Sequence, residues 1–326
     1  MTRLLLAGTG LIGARHRDHI LAHPDLTLAG IVDPDPARHH PGVPGFASLA
    51  EVDVEADGIV LATPTGTHAP LAVEAAARGL HVLVEKPVAD TLENAEVMAR
   101  AADDHGVRIL VGHHRRHHPR VQRLAEIVAS GTIGRPLAAS LMWLMRKPDD
   151  YFDVAWRAGI DGAPIKQNLI HDVDTLRMLF GEVTDVTGLA QATRDAARPD
   201  TGGCVLRFDA GVIVTVAWSD ATPTPWGFEA GTGESPHIPH TKQDSLRIAG
   251  THGAVEFPSL TVWSGAAHWN EEPTPQVHAA EDGIPLVRQL EHFADVVAGR
   301  ADAVVDARSA ARTLAVILEI ERTWSA

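Results

Sequence analysis

The chain has 326 residues, 45% of them apolar and 21% charged, and 28 Lys and Arg against 42 Asp and Glu leave a formal charge of −14. That length suits about two domains, and the composition excludes a largely disordered chain. The acidic balance argues against nucleic acid as a partner, because a phosphate backbone needs a basic surface. Cys204 is the single cysteine, so no intrachain disulfide framework exists, which fits a cytoplasmic setting. No run of about 18 apolar residues predicts a membrane-spanning helix. The apolar start at residues 4–7 meets Gly8 too soon to read as a secretion signal.

Up to residue 112, short apolar runs alternate with helical stretches. Runs at 4–7, 28–32, 58–62, 81–84 and 108–111 are bounded by Gly, Pro or Asp, as buried strands are. Stretches 11–22, 68–78 and 92–105 read as helices, and Asp90 followed by Glu93 resembles a capping box. Strands alternating with helices imply a doubly wound parallel sheet covered on both faces. From about residue 120 the pattern changes. Pro119 opens a helix running to about Ser130, and Gly131 ends it. Strand-like runs follow at 136–146, 183–193, 204–208, 212–218, 245–249 and 255–257, with 209–211 and 251–253 as hairpin turns. A helix at about 163–179 interrupts them, and helices at about 285–298 and 307–323 close the chain. The expected division is 1–120 for the parallel α/β domain and 121–326 for an α+β domain with a mostly antiparallel sheet. The stretch 222–240, rich in Pro and Gly around Trp226 and Phe228, is long for a loop, so a role in substrate access or subunit contact is expected.

The strongest motif is Gly8-Thr9-Gly10-Leu11-Ile12-Gly13, set between a strand and a helix. Gly8 permits the tight turn, Gly10 lets the backbone approach a pyrophosphate, and Gly13 lets helix and sheet pack closely. The helix N-terminus at Leu11 and Ile12 meets the phosphate charge. Asp33 ends the second strand, 20 residues past Gly13. A carboxylate there suits the free hydroxyls of an adenosine ribose and repels a 2′-phosphate. The expectation is a Rossmann dinucleotide site with NAD preferred over NADP. Arg38 reads as too distant in sequence to rescue phosphate binding.

Ala62-Thr63-Pro64-Thr65 and then His68 lie where the third strand ends, an edge that faces the ligand crevice of an open α/β sheet. An ordinary turn, with Thr65 or Thr67 as a helix cap, is the plainer reading. Glu85-Lys86-Pro87 follows the fourth strand. A lysine there, beside a nicotinamide, could bind a hydroxyl or carbonyl and move protons; a solvated Glu–Lys pair is the alternative. His113, His114, His117 and His118 recur at spacings of four, but Pro119 breaks the helical face, and zinc needs three or four convergent ligands. No metal is expected.

These motifs resemble, in their order, those of the Gfo/Idh/MocA oxidoreductases, the glucose–fructose oxidoreductase and inositol dehydrogenase family. The resemblance rests on GTGLIG, TPTGTH, EKP, the run from Gly112 to Pro119, Trp156-Arg157 and the segment 162–181. The hairpin-rich remainder is compatible with it. The resemblance implies a Rossmann domain joined to a C-terminal domain built on a large open sheet. It also implies NAD(P)-dependent hydride transfer at a hydroxyl or carbonyl of a sugar, cyclitol or related molecule. Lys86 is then the catalytic lysine, and His171 the histidine facing the nicotinamide. Thr63, Pro64, Thr65, His68 and Glu85 are implied as cofactor contacts, and His114, Arg116, Trp156, Arg157, Asn168 and Asp174 as substrate contacts. The family often has an aspartate, a histidine four residues on, and an aspartate three further. His171 and Asp174 match the latter two, but Gln167 stands in the first place. Asn168 is one position off, about 100° around an α-helix.

Without the resemblance, His171 reads as a helix histidine bonded to a neighbour. Trp143, Trp218, Trp226 and Trp263 read as sheet and interface packing, and Tyr151-Phe152 as part of a substrate lid. Two other functions fit the motifs: a non-catalytic NAD- or ligand-sensing member, against which Lys86 and His171 speak, and redox-assisted glycoside cleavage or elimination with tightly held NAD. Apolar residues reach both faces of 137–145 and 212–216, which predicts a homodimer or homotetramer through the sheet.

Overall fold

The computed structural model describes residues 1–194 and 198–324. The chain forms two compact units, one of Met1–His117 with Gly283–Ala315, the other of His118–Asp282 with the chain from Val316 on.

In the first unit, β1 (Thr2–Ala7), β2 (Leu26–Val32), β3 (Gly45–Phe46), β4 (Gly58–Leu61), β5 (His81–Val84) and β6 (Ile109–Val111) form one sheet in the order β3-β2-β1-β4-β5-β6. Every adjacent pair is parallel. Leu5, Ile59, Val60 and Val82 are fully buried, as strands covered on both faces must be. Helices α1 (Leu11–Ala22), α2 (His68–Ala77) and α3 (Leu92–His105) supply crossovers. Strand order reverses at β1 and β4, so their carboxyl ends border the crevice where open α/β sheets bind ligands. The two-residue β3 is too short to show in the sequence pattern. Thr91, not Asp90, caps α3: its hydroxyl accepts from Asn94 N at 3.1 Å, while Asp90 Oδ1 takes the Asn94 side-chain amide at 2.6 Å.

A single cut at residue 120 does not describe this division. The helix Pro285–Val297 places Leu290, Phe293 and Ala294 in one core with Leu4, Leu6, Val60 and Leu83. An amphipathic stripe reveals that a helix packs, but not on which sheet.

The second unit opens with α4 (Pro119–Ala129), followed by β7 (Pro136–Met145) and α5 (Ala155–Ala158). A π-helical turn, Ile165–Leu169, leads directly into α6 (Ile170–Phe180). Then come β8 (Val183–Gln191), β9 (Thr201–Phe208), β10 (Ile213–Ser219), β11 (Pro223–Trp226), α7 (Phe228–Thr232), β12 (Leu246–Gly250), β13 (Gly253–Phe257), β14 (Thr261–Ser264) and β15 (Thr274–Val277). The nine-stranded sheet runs β15-β14-β13-β12-β7-β10-β9-β8, with β11 on β7, and β7–β10 is its parallel pair. One face buries Leu141, Trp143, Val214, Trp218 and Leu206 in a core shared with Leu124 of α4 and Val173 of α6. The other keeps Val205 and Ile213 exposed.

The stretch 222–240 is not a plain loop, since it holds β11 and α7. Phe228 is core, stacked on Phe257 at 5.6 Å and edge-on to His118 at 5.4 Å. No helix among the described residues is long and apolar enough to cross a membrane.

Candidate active site

The glycine turn sits at the carboxyl end of β1. Gly8 has φ +81°, and a Cβ on it would meet Ala62 O at 2.7 Å; a Cβ on Gly13 would strike the Gly8 carbonyl. Glycine is therefore required where turn, helix and sheet meet. A Cβ on Gly10 would meet only open space, and no side chain caps α1, so its first N–H groups point into room for an anion. Leu11, at 78% exposed, flanks that opening, and Ile12 is half-buried beside it. Asp33, 4% exposed, accepts from Thr9 N and Thr9 Oγ1, both at 3.1 Å, and from Asp35 N at 3.1 Å. A carboxylate has about four acceptor positions, so one remains for a ribose hydroxyl. These residues fit a dinucleotide. Arg38 is nearer than its sequence distance suggests. The turn Pro36–Arg38 brings its Nη1 to 4.0 Å from Asp33 Oδ2.

At the neighbouring strand ends, Thr63, Pro64 and Thr65 follow β4, and Glu85 and Lys86 follow β5. Thr67 makes no cap bond; its hydroxyl donates to Pro64 O at 2.7 Å. His68, 1% exposed, ties the two loops together, with Nδ1 3.0 Å from Pro87 O and Nε2 2.9 Å from Thr63 O. Burial pushes its imidazole below the ordinary value, against the pull of both carbonyls and Glu85.

Glu85 is no solvated partner of Lys86. It is buried, with Oε1 2.8 Å from His16 Nε2 and Oε2 accepting from Lys86 N at 3.3 Å. Burial pushes the carboxyl up, but the hydrogen bond from His16 and the charges of His16, His114 and Lys86 outweigh it and hold it at about 2. His16 is fully buried on α1 and escaped the sequence reading, since nothing local signals a partner 69 residues away.

His114 and Arg116 lie half-buried in the turn His114–His117 after β6. His113 and Arg115 are buried, His117 packs 5.1 Å from the His292 ring, and His118 caps α4. Among the described residues no group of three or more His, Cys, Asp or Glu is arranged for a metal ion.

The remaining candidates belong to the second unit. His171 and Asp174 are buried on α6 at 5% and 1% exposure. Asn168 and Gln167 fall in the π-helical turn, where the 100° spacing of an α-helix does not hold. Gln167 Nε2 donates to Asp161 O at 2.8 Å. Asn168 Nδ2 lies 3.5 Å from Glu229 Oε1, and Trp143 Nε1 donates to Glu229 Oε2 at 2.9 Å. The buried Oδ1 of Asn168 has no donor among the described residues. Glu229 was missed in the sequence because its stretch reads as loop. Trp156 is 49% exposed, and its neighbour Arg157 lies over the Tyr151 ring at 4.5 Å.

Residues 2–113 match the Gfo/Idh/MocA oxidoreductase family model with an NAD-binding Rossmann fold, and residues 121–256 match the family's C-terminal domain. The chain belongs to the Gfo/Idh/MocA oxidoreductase family. This Gfo/Idh/MocA chain is 32% identical over 189 residues to 1,5-anhydro-D-fructose reductase of Ensifer adhaerens, covering 54% of this chain and 55% of that protein. It is 27% identical over 226 residues to D-xylose 1-dehydrogenase (NADP(+)) 2 of Haloferax volcanii, covering 67% and 69%. The chain spans a little over half to about two thirds of such curated relatives. Among solved structures it is similar to the WlbA dehydrogenase of Bordetella pertussis in complex with NADH and UDP-GlcNAcA. That match is 26% identical with a TM-score of 0.77, covering 99% of this chain and 96% of that one.

Proposed function

We propose that the chain is an NAD-dependent oxidoreductase that moves hydride between nicotinamide and a hydroxyl or carbonyl carbon of a sugar, cyclitol or related small molecule. The observation that carries this reading is Lys86 seated on a buried, ionised Glu85 at the sheet edge that also bears the glycine turn. NAD, when bound, supplies the hydride acceptor or donor. Gly10 and the start of α1 hold the pyrophosphate, and Asp33 holds the ribose hydroxyls. Thr63, Pro64 and Thr65 line the same edge, and His68 shapes it. Lys86 binds the substrate oxygen and favours the developing alkoxide by its charge. His171 takes the hydroxyl proton in oxidation and returns it in reduction. His114, Arg116, Trp156, Arg157, Asn168 and Asp174 are the substrate contacts of this reading.

Asp33 favours NAD; Arg38 beside it leaves NADP as a weaker coenzyme rather than an excluded one. The exposed apolar pair of Val205 and Ile213 supports a homodimer or homotetramer through the open sheet face. The single, buried Cys204 suits a cytoplasmic setting.

The test is purified protein with NAD or NADP against neutral sugars, inositols, sugar acids and aromatic glycosides, following absorbance of the reduced nicotinamide. Turnover with NAD is expected. Glycoside cleavage with NAD bound but not consumed would overturn the reading in favour of redox-assisted elimination.

A further inference from the structure

One charge cluster in the second unit, built around Asp220, draws only Arg157 from the residues assigned above. Asp220, fully buried after β10, accepts from Arg198 Nη2 at 2.6 Å and from Arg194 Nη2 at 2.8 Å, with Lys147 Nζ 3.8 Å away. Arg157 joins the group through its carbonyl, which accepts from Arg198 Nε at 3.4 Å. Two aromatic rings fill the space among the cations. Lys147 and Arg157 lie 4.7 and 4.5 Å from the Tyr151 centroid, and Arg194 and Arg198 lie 4.9 and 5.3 Å from that of Phe152.

Asp200, a further carboxylate joined to this group, spends its oxygens on Thr193 N and Oγ1, Arg194 N and Thr201 Oγ1. Lys147, Arg194 and Arg198 thus gather around Asp220 with Arg157 beside them, where partial burial strengthens the repulsion among the cations. Asp195, on the same stretch, lies outside the described residues. The buried Nε atoms of Arg157 and Arg194 have no acceptor among the described residues. Buried donors normally find one.

The cluster adjoins the His171 helix through contacts inside the same unit. Lys147 lies 5.7 Å from the Trp143 ring centroid, Trp143 donates to Glu229, and Glu229 accepts from Asn168, one turn before His171. We propose that Lys147, Arg157 and Arg194 form an anion subsite, so that the substrate carries a carboxylate or phosphate besides its reacting hydroxyl. Asp220 and Arg198 hold the subsite in place. The proposal rests on the oxidoreductase reading and narrows its substrate class.

The experiment compares matched compounds: glucose, gluconate, glucuronate and glucose 6-phosphate, each with NAD, together with melting curves in the same compounds and in inorganic phosphate. The kcat/KM for an acid should exceed that for glucose by about tenfold or more, and fall as salt rises. Whether the carboxylates or the phosphate ester gain decides the source of the charge. Lys147→Met and Arg194→Gln should each cut the acid-to-neutral ratio of kcat/KM by about ten- to hundredfold, mainly through KM. Equal use of glucose and the acids, or variants that lower both alike, overturns the subsite while the oxidoreductase reading stands. Anions that raise the melting temperature of the parent but not of Lys147→Met, with no reduced nicotinamide from any compound, support the subsite and leave the oxidoreductase reading to the wider substrate panel. Absence of both turnover and anion-dependent melting overturns the subsite too.

Discussion

Replacing Glu85 by Gln tests the buried charge beneath Lys86 while keeping its shape. The carboxyl is held at about 2 against an ordinary 4.5. A folded pKa below the unfolded one gives stability that is fully present above the unfolded value and is lost as pH falls through the folded one. At about 1.36 kcal/mol per pKa unit, this depression contributes about 3 kcal/mol at neutral pH. Removing one member of a buried pair typically costs about 3–5 kcal/mol, a compatible figure. Urea titration followed by far-ultraviolet circular dichroism is the assay, because all seven tryptophans lie in the second unit and their fluorescence would miss the first. Glu85→Gln should lower the midpoint clearly at pH 7, and the gap to the parent should close as pH drops from about 4.5 toward 2. Equal midpoints at pH 7, or a gap that stays constant down to pH 3, would refute the reasoning.

Lys86→Ala should reduce kcat by about 10²–10⁴-fold while the NAD dissociation constant, measured by calorimetry, changes little. His171→Ala should lose activity similarly and delete one limb of the pH–rate profile; unchanged turnover in both variants removes them from the chemistry. Asp33→Ser should move the ratio of kcat/KM for NAD over NADP toward NADP, and a parent enzyme that already prefers NADP contradicts the assigned role of Asp33. Light scattering should show a dimer or tetramer at micromolar concentration, and Ile213→Arg, on the open sheet face, should shift it toward monomer; a monomeric parent rejects the sheet interface.

The parallel sheet was legible because strands buried on both faces leave unbroken apolar runs, such as Leu4-Leu5-Leu6. The glycine turn was legible because its three glycines each answer a local steric demand. What escaped depends on long-range choice. His16 and Glu85 meet across the fold, and neither residue's neighbours announce the other. The apolar spacing from Ile165 to Val173 suits an α-helix, so the π-helical turn that resets Gln167 and Asn168 leaves no mark in the pattern. Phe228 looked like an access aromatic because Pro and Gly surround it, yet Phe257 and His118 enclose it. Arg38 looked remote from Asp33 until one tight turn folded the chain back. Lys86, His171 and their substrate partners came from motif resemblance rather than from patterning, and the kinetic variants above are their test.

The return of residues 283–315 to the first unit has a consequence for synthesis. Chains usually fold as they emerge, N-terminal parts first. Here the parallel sheet leaves the ribosome long before Leu290 and Phe293, which complete its core. The intervening 118–282 must fold as an insertion while that sheet still lacks a helix. A nascent first unit therefore exposes apolar surface for as long as the rest of the message takes to translate, and is a natural client for a chaperone. A stop after residue 282 would strip Val316, Ile317 and Ile320 from the core of the second unit, and it would also leave the dinucleotide-binding half permanently unfinished.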